Sequence, residues 1–445
     1  MDATWSQREF WTTINKHRPD GFYQITWTVP VPEGRGLDDV LGCLRLLVER
    51  HQALRTKITE GGPAGLRQVV FGEGSLPVRI EDAPDEQGAA EAAEAVRGEF
   101  FRTEPRLDRD FPFKIAIVTR EGLPRFMVFA CSHVVLDGES VRVVEDELSA
   151  VLSQGSGEHL EPVTHQPEDQ VRDESLDRSA RTSQRSLSYW KSTLLASPGG
   201  LFSEVRGGRS PLWLGRLRSR ALLAAELTLV PRVGVSSGAL YLGAAACVLG
   251  EVTGKPGMTF RVPTSNRFTA ATRSYVGALS QHAVITVDTT SGSFYDVVRG
   301  VDRGLRRAYS HARYDPDGLR RVIEEVEAAR REPVDLAYLF NDLRDEDDKP
   351  KVGAPAVVQD AALAADLLDT SEEISWELLH AANSDIKVYV RVSGTADHGG
   401  LDVAADADCL TTSGTENILR AAERLIVRAA QGDFAADRVR AVSGL

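Results

Sequence analysis

Apolar positions along the chain recur at two periods, and the alternation between them predicts a mixed α/β protein. Phe22–Val29 alternates apolar and polar side chains and is rich in β-formers, which predicts a strand ended by Pro30 and Pro32. Val40, Leu41, Leu44, Leu47 and Val48 fall on one face of a helix running from Asp38 through Arg50. Leu66–Phe71, Leu76–Ile80 and Phe113–Thr119 read as strands, and the alanine-rich Gln87–Phe101 as a helix. Arg125–Ala130 is nearly all apolar and follows the turn Gly122-Leu123-Pro124, which suits a strand buried on both faces. Val141, Val144, Leu148 and Val151 then repeat at helical spacing within Glu139–Leu152. This order predicts mixed α/β sheets, not eight regular β-α repeats.

From Gln154 to Arg185 the pattern changes. Ser, Gly, Glu, Asp, Gln and Pro dominate, and so few large apolar residues cannot easily support a core. The segment reads as an exposed linker over 156–186, dividing a first domain at 1–155 from a second at 187–445. In the second part, helices are expected at Leu187–Leu195, Leu240–Leu249, Phe294–Tyr309 and Asn417–Ala430. Strands are expected at Gly257–Val262, Ala283–Val287, Leu336–Phe340 and Ile386–Val392. The charged run Asp342–Lys351 reads as a solvated loop.

Composition narrows the function classes. The chain has 445 residues, 42% of them hydrophobic, enough for two sizeable cores. A formal charge of −13 argues against nucleic acid or an anionic membrane as the main partner. Cys43, Cys131, Cys247 and Cys409 lie far apart and show no zinc-type spacing, which suits small core residues in a reducing compartment. The first residues show no signal-peptide pattern, and no apolar run approaches the ~20 residues needed to span a bilayer. A cytoplasmic protein is expected.

The chemistry concentrates at the end of the apolar run, where Cys131–Ser140 reads Cys-Ser-His-Val-Val-Leu-Asp-Gly-Glu-Ser. His133 lies where a central strand turns toward a helix, a place from which an imidazole can project into a cleft while both elements hold it. Imidazole takes and returns a proton near neutral pH, with an unperturbed pKa of ~6.5. Asp137 can orient the loop by pairing with an arginine elsewhere, and Gly138 permits backbone conformations that other residues resist. There is no G-x-S-x-G nucleophile elbow, and the other histidines show no metal-ligand spacing, so neither a hydrolase nor a metal site is expected.

Ser132-His133-Val134-Val135-Leu136-Asp137-Gly138 resembles the HHxxxDG signature of nonribosomal peptide synthetase condensation domains and related acyltransferases. Other segments agree in order. Trp5-Ser6-Gln7 with Trp11 is similar to the family's opening S-x-x-Q-x-x-x-W region, and Glu49–Thr56 resembles RHExLRT. Ser188–Lys191 looks like the YW that opens the second half. Val262–Arg267 and Tyr275–Gln281 are similar to the P-x-x-x-R and VGxFxN segments. Ser132 stands where the family has its first histidine, and Gln281 where it has asparagine.

The resemblance implies two chloramphenicol-acetyltransferase-like subdomains in a V-shaped pseudo-dimer with a tunnel between them. It implies acyl transfer from a pantetheine thioester on an acyl or peptidyl carrier protein, or from CoA, to an amine or hydroxyl acceptor. No permanently bound cofactor is implied. His133 would remove the acceptor's proton or hold the nucleophile. Asp137 would pair with an arginine of the RHExLRT segment, with Arg55 preferred over Arg50. Ser132, Ser265 and Gln281 would line the substrate site. The cluster Arg303, Arg306, Arg307, Arg313, Arg320 and Arg321 offers a surface for an acidic carrier acting in trans. With no carrier, adenylation or thioesterase domain in the sequence, a free-standing enzyme is expected. Two other readings stay open: an acyltransferase using acyl-CoA, and a degenerate scaffold that binds a carrier or tailoring enzyme without turnover.

Overall fold

The structure is a computed structural model, and it describes residues 1–17, 24–61, 65–103, 107, 109–202, 205, 210–290, 292–344, 361–368, 373–380 and 385–445. The chain forms two compact units: residues 1–183 with 265–281, and residues 184–264 with 282–445. Both are mixed α/β.

The first unit opens with α1 (Trp5–His17), β1 (Gln24–Pro30) and α2 (Leu37–Arg50), followed by a 3₁₀ turn at Gln52–Arg55. The hairpin of β2 (Thr56–Glu60) and β3 (Leu66–Val70) precedes β4 (Val78–Ala83), α3 (Glu86–Arg102), β5 (Phe113–Arg120) and β6 (Leu123–Ser132). Beyond it lie α4 (Gly138–Gln154), α5 (Pro167–Glu174) and the start of α6 (Asp177–Ala196), which from Gln184 onward belongs to the second unit. A four-stranded sheet has the order β1-β6-β5-β4, antiparallel except for the β4–β5 pair. Strand β6 is central, and this explains its continuous apolar run. Met127, Phe129 and Cys131 enter the core beneath α2 and α4, while Val128 and Ala130 face the core under α3.

The second unit is built on a seven-stranded sheet of order β11-β7-β13-β12-β10-β8-β9. Its strands are β7 (Leu212–Ser219), β8 (Gly257–Thr264), β9 (Gln281–Asp288), β10 (Tyr338–Asp342), β11 (Ser375–His380), β12 (Val388–Gly394) and β13 (Gly399–Asp406). Its helices are α7 (Arg220–Val233), α8 (Ser237–Thr253), α10 (Phe294–Tyr309), α11 (Pro316–Arg330), α12 (Ala361–Asp366), α13 (Thr412–Gln431) and α14 (Val439–Ser443). The short α9 (Ala270–Arg273) belongs to the first unit. Ala239 to Leu249 of α8 are buried all round, so this helix is the unit's core helix.

The linker is a correction. Residues 156–186 hold α5 and much of α6, and the units divide between Ser183 and Gln184. The polar composition misleads because these helices bury polar side chains that bond to one another. His165 Nε2 lies 3.1 Å from Gln170 Oε1, and Gln170 Nε2 donates to Glu174 at 2.7 Å. Ser179, Ser183 and Ser186 are buried as well. Phe22 and Tyr23 of the first expected strand, and 345–351 of the charged run, lie outside the described residues. Among the described residues no single helix is long and apolar enough to cross a membrane.

Candidate active site

Strand β6 ends at Ser132 and the chain folds straight into a turn. The Ser132 carbonyl accepts from the amides of Val135 and Leu136 at 3.0 and 3.2 Å, and its hydroxyl accepts from Val134 N at 3.4 Å. His133 sits on this turn, half-buried, between a strand and a helix that are both packed into the core. Phe10 of α1 stacks on its imidazole, with ring centroids 4.8 Å apart and planes 11° from parallel. Three hydrogen bonds help to hold helix α1 there. Ser6 Oγ donates to Ser280 O at 2.6 Å, Gln281 Nε2 donates to Glu9 at 3.0 Å, and Trp5 N donates to Glu174 of α5 at 2.8 Å. The last contact places a carboxylate at the helix N-terminus, where unpaired amides favour it.

Asp137 caps α4 through Oδ1, which accepts from Ser140 N at 3.0 Å. The same carboxylate takes a two-pronged ion pair from Arg267, Nη2 to Oδ1 at 2.7 Å and Nη1 to Oδ2 at 2.8 Å. Oδ2 also accepts from Leu279 N and Ser280 N, both at 2.9 Å. The two ionic side chains are 1% and 4% exposed. Burial alone would raise the Asp137 pKa; the Arg267 charge and the converging donors outweigh it and hold the carboxyl well below the usual carboxylate range. Asn266 adopts φ 57°, and this left-handed residue leads into Arg267. Ala278 N donates to Val135 O at 3.0 Å and Gly277 N to Ser140 Oγ at 3.0 Å. Residues 265–281 are therefore stitched along the histidine turn. A Cβ at Gly277 would run into the Tyr275 ring, so that position requires glycine.

The structure brings together His133, Ser132, Asp137 and the segment carrying Ser265 and Gln281, and it separates Arg55 from them. The Arg55–Asp137 pairing is a correction: Arg55 donates Nε to Val48 O at 3.2 Å and Nη1 to Phe71 O at 2.5 Å, and Arg267 takes the carboxylate. The RHExLRT-like segment instead ties α2 to α4. Arg50 donates twice to Glu147, at 3.0 and 3.1 Å, and the fully buried His51 meets the same carboxylate at 2.7 Å. Gly138 is a second correction. It is the first residue of α4, has no positive φ, and has open space where a Cβ would stand. Ser132 is 1% exposed and its hydroxyl serves the turn, while the Gln281 side chain is 3% exposed and engaged by Glu9. The Ser265 carbonyl accepts from Arg267 at 3.1 Å. Phe10, Ser140 and Gly277 had no assigned role in the sequence. Arg267 lay within the P-x-x-x-R-like segment, and the need of a buried carboxylate for a cation is the signal that reaches it.

A family model described as the condensation domain matches residues 3–351. Cyclosporin synthetase simA of Tolypocladium inflatum is 26% identical over 317 residues, 68% of this chain and 2% of that protein. The chain likewise spans only 14% of the nonribosomal peptide synthetase acrB of Aspergillus aculeatus, at 25% identity over 49% of the chain. Among solved structures, the condensation domain from the monacolin K polyketide synthase MokA superposes with a TM-score of 0.74 at 16% identity, covering 97% of both chains. The X-domain of teicoplanin biosynthesis, solved in complex with OxyB, gives a TM-score of 0.71 at 16% identity over 97% of this chain and 93% of that one. These likenesses describe a shared fold.

Proposed function

The chain belongs to the condensation-domain family, and on that premise we propose that it joins an acyl or aminoacyl group, delivered as a pantetheine thioester, to an amine or hydroxyl acceptor. Condensation domains are acyltransferase-type enzymes that work with carrier-bound phosphopantetheine substrates. The reading is carried by His133, an imidazole set on a turn between two buried elements and braced on its face by Phe10. The imidazole takes the proton from the attacking amine or hydroxyl as the new C–N or C–O bond forms. The C–S bond then breaks and the departing sulfur receives a proton, so the products are an amide or ester and a free thiol. The thioester is already activated, so no protein nucleophile is needed. General-base help of this kind is typically worth 10²–10⁴-fold. Asp137 and Arg267 act on the loop, not on the substrate, because both side chains are buried and pair with each other through the carboxylate and the two terminal guanidinium nitrogens.

A carrier partner in trans is supported by α10. Arg303, Arg306 and Arg307 are exposed there; Arg306 also pairs with Asp302 at 2.8 Å, and Arg307 lies over the Tyr189 ring at 5.4 Å. A second reading, partner binding without turnover, is favoured by Ser132, buried and committed to the turn where the family signature has a histidine.

The test offers purified chain an acyl-carrier or the same acyl-CoA, with a panel of amines and alcohols, and reads coupled product by mass spectrometry. His133-dependent product from the carrier thioester supports the proposal, and product from CoA alone moves the donor class. Carrier binding with no product from either donor establishes the non-catalytic reading.

A further inference from the structure

The first unit contains a cavity that no part of the site above uses. It has a volume of about 540 Å³ and lies between α2, the 3₁₀ turn at Gln52–Arg55, the end of β3 and the edge of the sheet at β4 and β5. Its wall is mainly apolar, with Leu44, Leu54, Leu76, Phe111 and Ile115 among the lining side chains. Neither His133 nor any residue of the Asp137 network lines it. Cavities of roughly 300–1,000 Å³, apolar with a few convergent polar groups, are the usual form of small-molecule sites.

Four charged side chains line it: Arg45, Glu49 and Glu73 are exposed, and Arg55 is half-buried. The Arg55 guanidinium donates Nε and Nη1 to two neutral backbone carbonyls, those of Val48 and Phe71. Among the described residues no carboxylate lies within ion-pair distance of it. The other lining arginine, Arg45, is exposed and already neutralised by Glu49 at 2.8 Å. A guanidinium carries five N–H donors, so Arg55 keeps capacity for a two-pronged acceptor. A cation partly withdrawn from water and satisfied by neutral acceptors alone lacks the countercharge that its desolvation calls for. We propose that this cavity binds an apolar monocarboxylate, its hydrocarbon body against Leu44, Leu54 and Ile115 and its carboxylate on Arg55. The proposal is independent of the catalytic reading.

Isothermal titration calorimetry of the full chain with octanoate tests it, with 1-octanol as the uncharged probe. Octanoate should bind saturably at one site and about tenfold or more tighter than 1-octanol, the difference expected of a charge-assisted hydrogen bond. Arg55→Gln should remove that preference. Leu41→Glu, at a lining position 37% exposed, should weaken octanoate by facing it with a like charge, and it provides the test if Arg55→Gln fails to fold. His133→Ala should leave octanoate binding unchanged. Non-saturable binding, equal affinity for the two probes, binding undiminished in folded Arg55→Gln or in Leu41→Glu, or binding lost in His133→Ala would each overturn the assignment.

Discussion

Replacing Arg267 by methionine should destabilise the first unit far more than the equivalent change at Arg55. Arg267 makes both prongs of an ion pair whose members are 4% and 1% exposed. Deleting one partner of such a pair leaves the other charge buried and uncompensated, which costs about 3–5 kcal/mol. The Asp137 carboxylate would keep its bonds from Ser140, Leu279 and Ser280, and these set the lower end of that range. Among the described residues the Arg55 side chain bonds only to two carbonyls, and its loss should cost about 1–3 kcal/mol. For a unit of 150–250 residues, about 2–4 °C of melting temperature accompanies each kcal/mol, so Arg267→Met should lower Tm by about 6–20 °C. Thermal and urea unfolding of the two variants, with Asp137→Asn and the Asp137→Asn/Arg267→Met double variant, read this directly. The double variant should be less destabilised than the sum of the singles, because it removes the orphaned charge. Equal losses for Arg55 and Arg267, together with strict additivity at Asp137 and Arg267, would refute the assignment of the ion pair.

Other consequences are readily measured. Because the folded-state pKa of Asp137 is depressed, its stabilisation is present above the unfolded value of ~3.9 and is lost as pH falls below it. Urea unfolding from about pH 5 to pH 2 should therefore show a shallower loss of stability in Asp137→Asn than in wild type, and parallel curves would contradict this. Gly277→Ala should be destabilised by about 1–3 kcal/mol because its Cβ meets the buried Tyr275 ring, whereas Gly138→Ala, with open space around it, should stay within about 0.5 kcal/mol of wild type; the reverse order in urea unfolding would refute the geometry. Phe10→Ala should lower kcat by about 10- to 100-fold with little change in KM, by loosening the imidazole it stacks on, and an unchanged kcat would remove Phe10 as a positioning residue.

How much of this was legible in the sequence varies from element to element. The turn that carries His133 was legible because the hydrophobic period switches from a continuous run in β6 to helical spacing in α4. Strand β13 was not, since Gly399, Gly400 and Asp402 do not look like strand residues. The structure buries Asp402 at 1% exposure by pairing it with Arg218 at 2.6 Å and Arg391 at 3.0 Å. Helix α7 was hidden by Pro231 near its end, and α5 by a buried face made of Pro167 and Gln170 in place of leucines. The partner of Asp137 was sought within the RHExLRT-like segment, between Arg55 and Arg50, whereas the structure gives Arg267 of another segment. Sequence distance could not point to it, because the decisive contact spans 130 residues.

The most direct measurement is the fate of a donor thioester in a single turnover. Wild-type protein and His133→Ala, with matched unfolding curves, are each mixed with acyl-carrier and a competent amine or alcohol, and the carrier's intact mass is followed with time. The account predicts that wild type strips the acyl group to a free pantetheine thiol in step with product, and that His133→Ala does so at least about 100-fold more slowly. Equal rates in the two proteins would contradict the central role given to that imidazole.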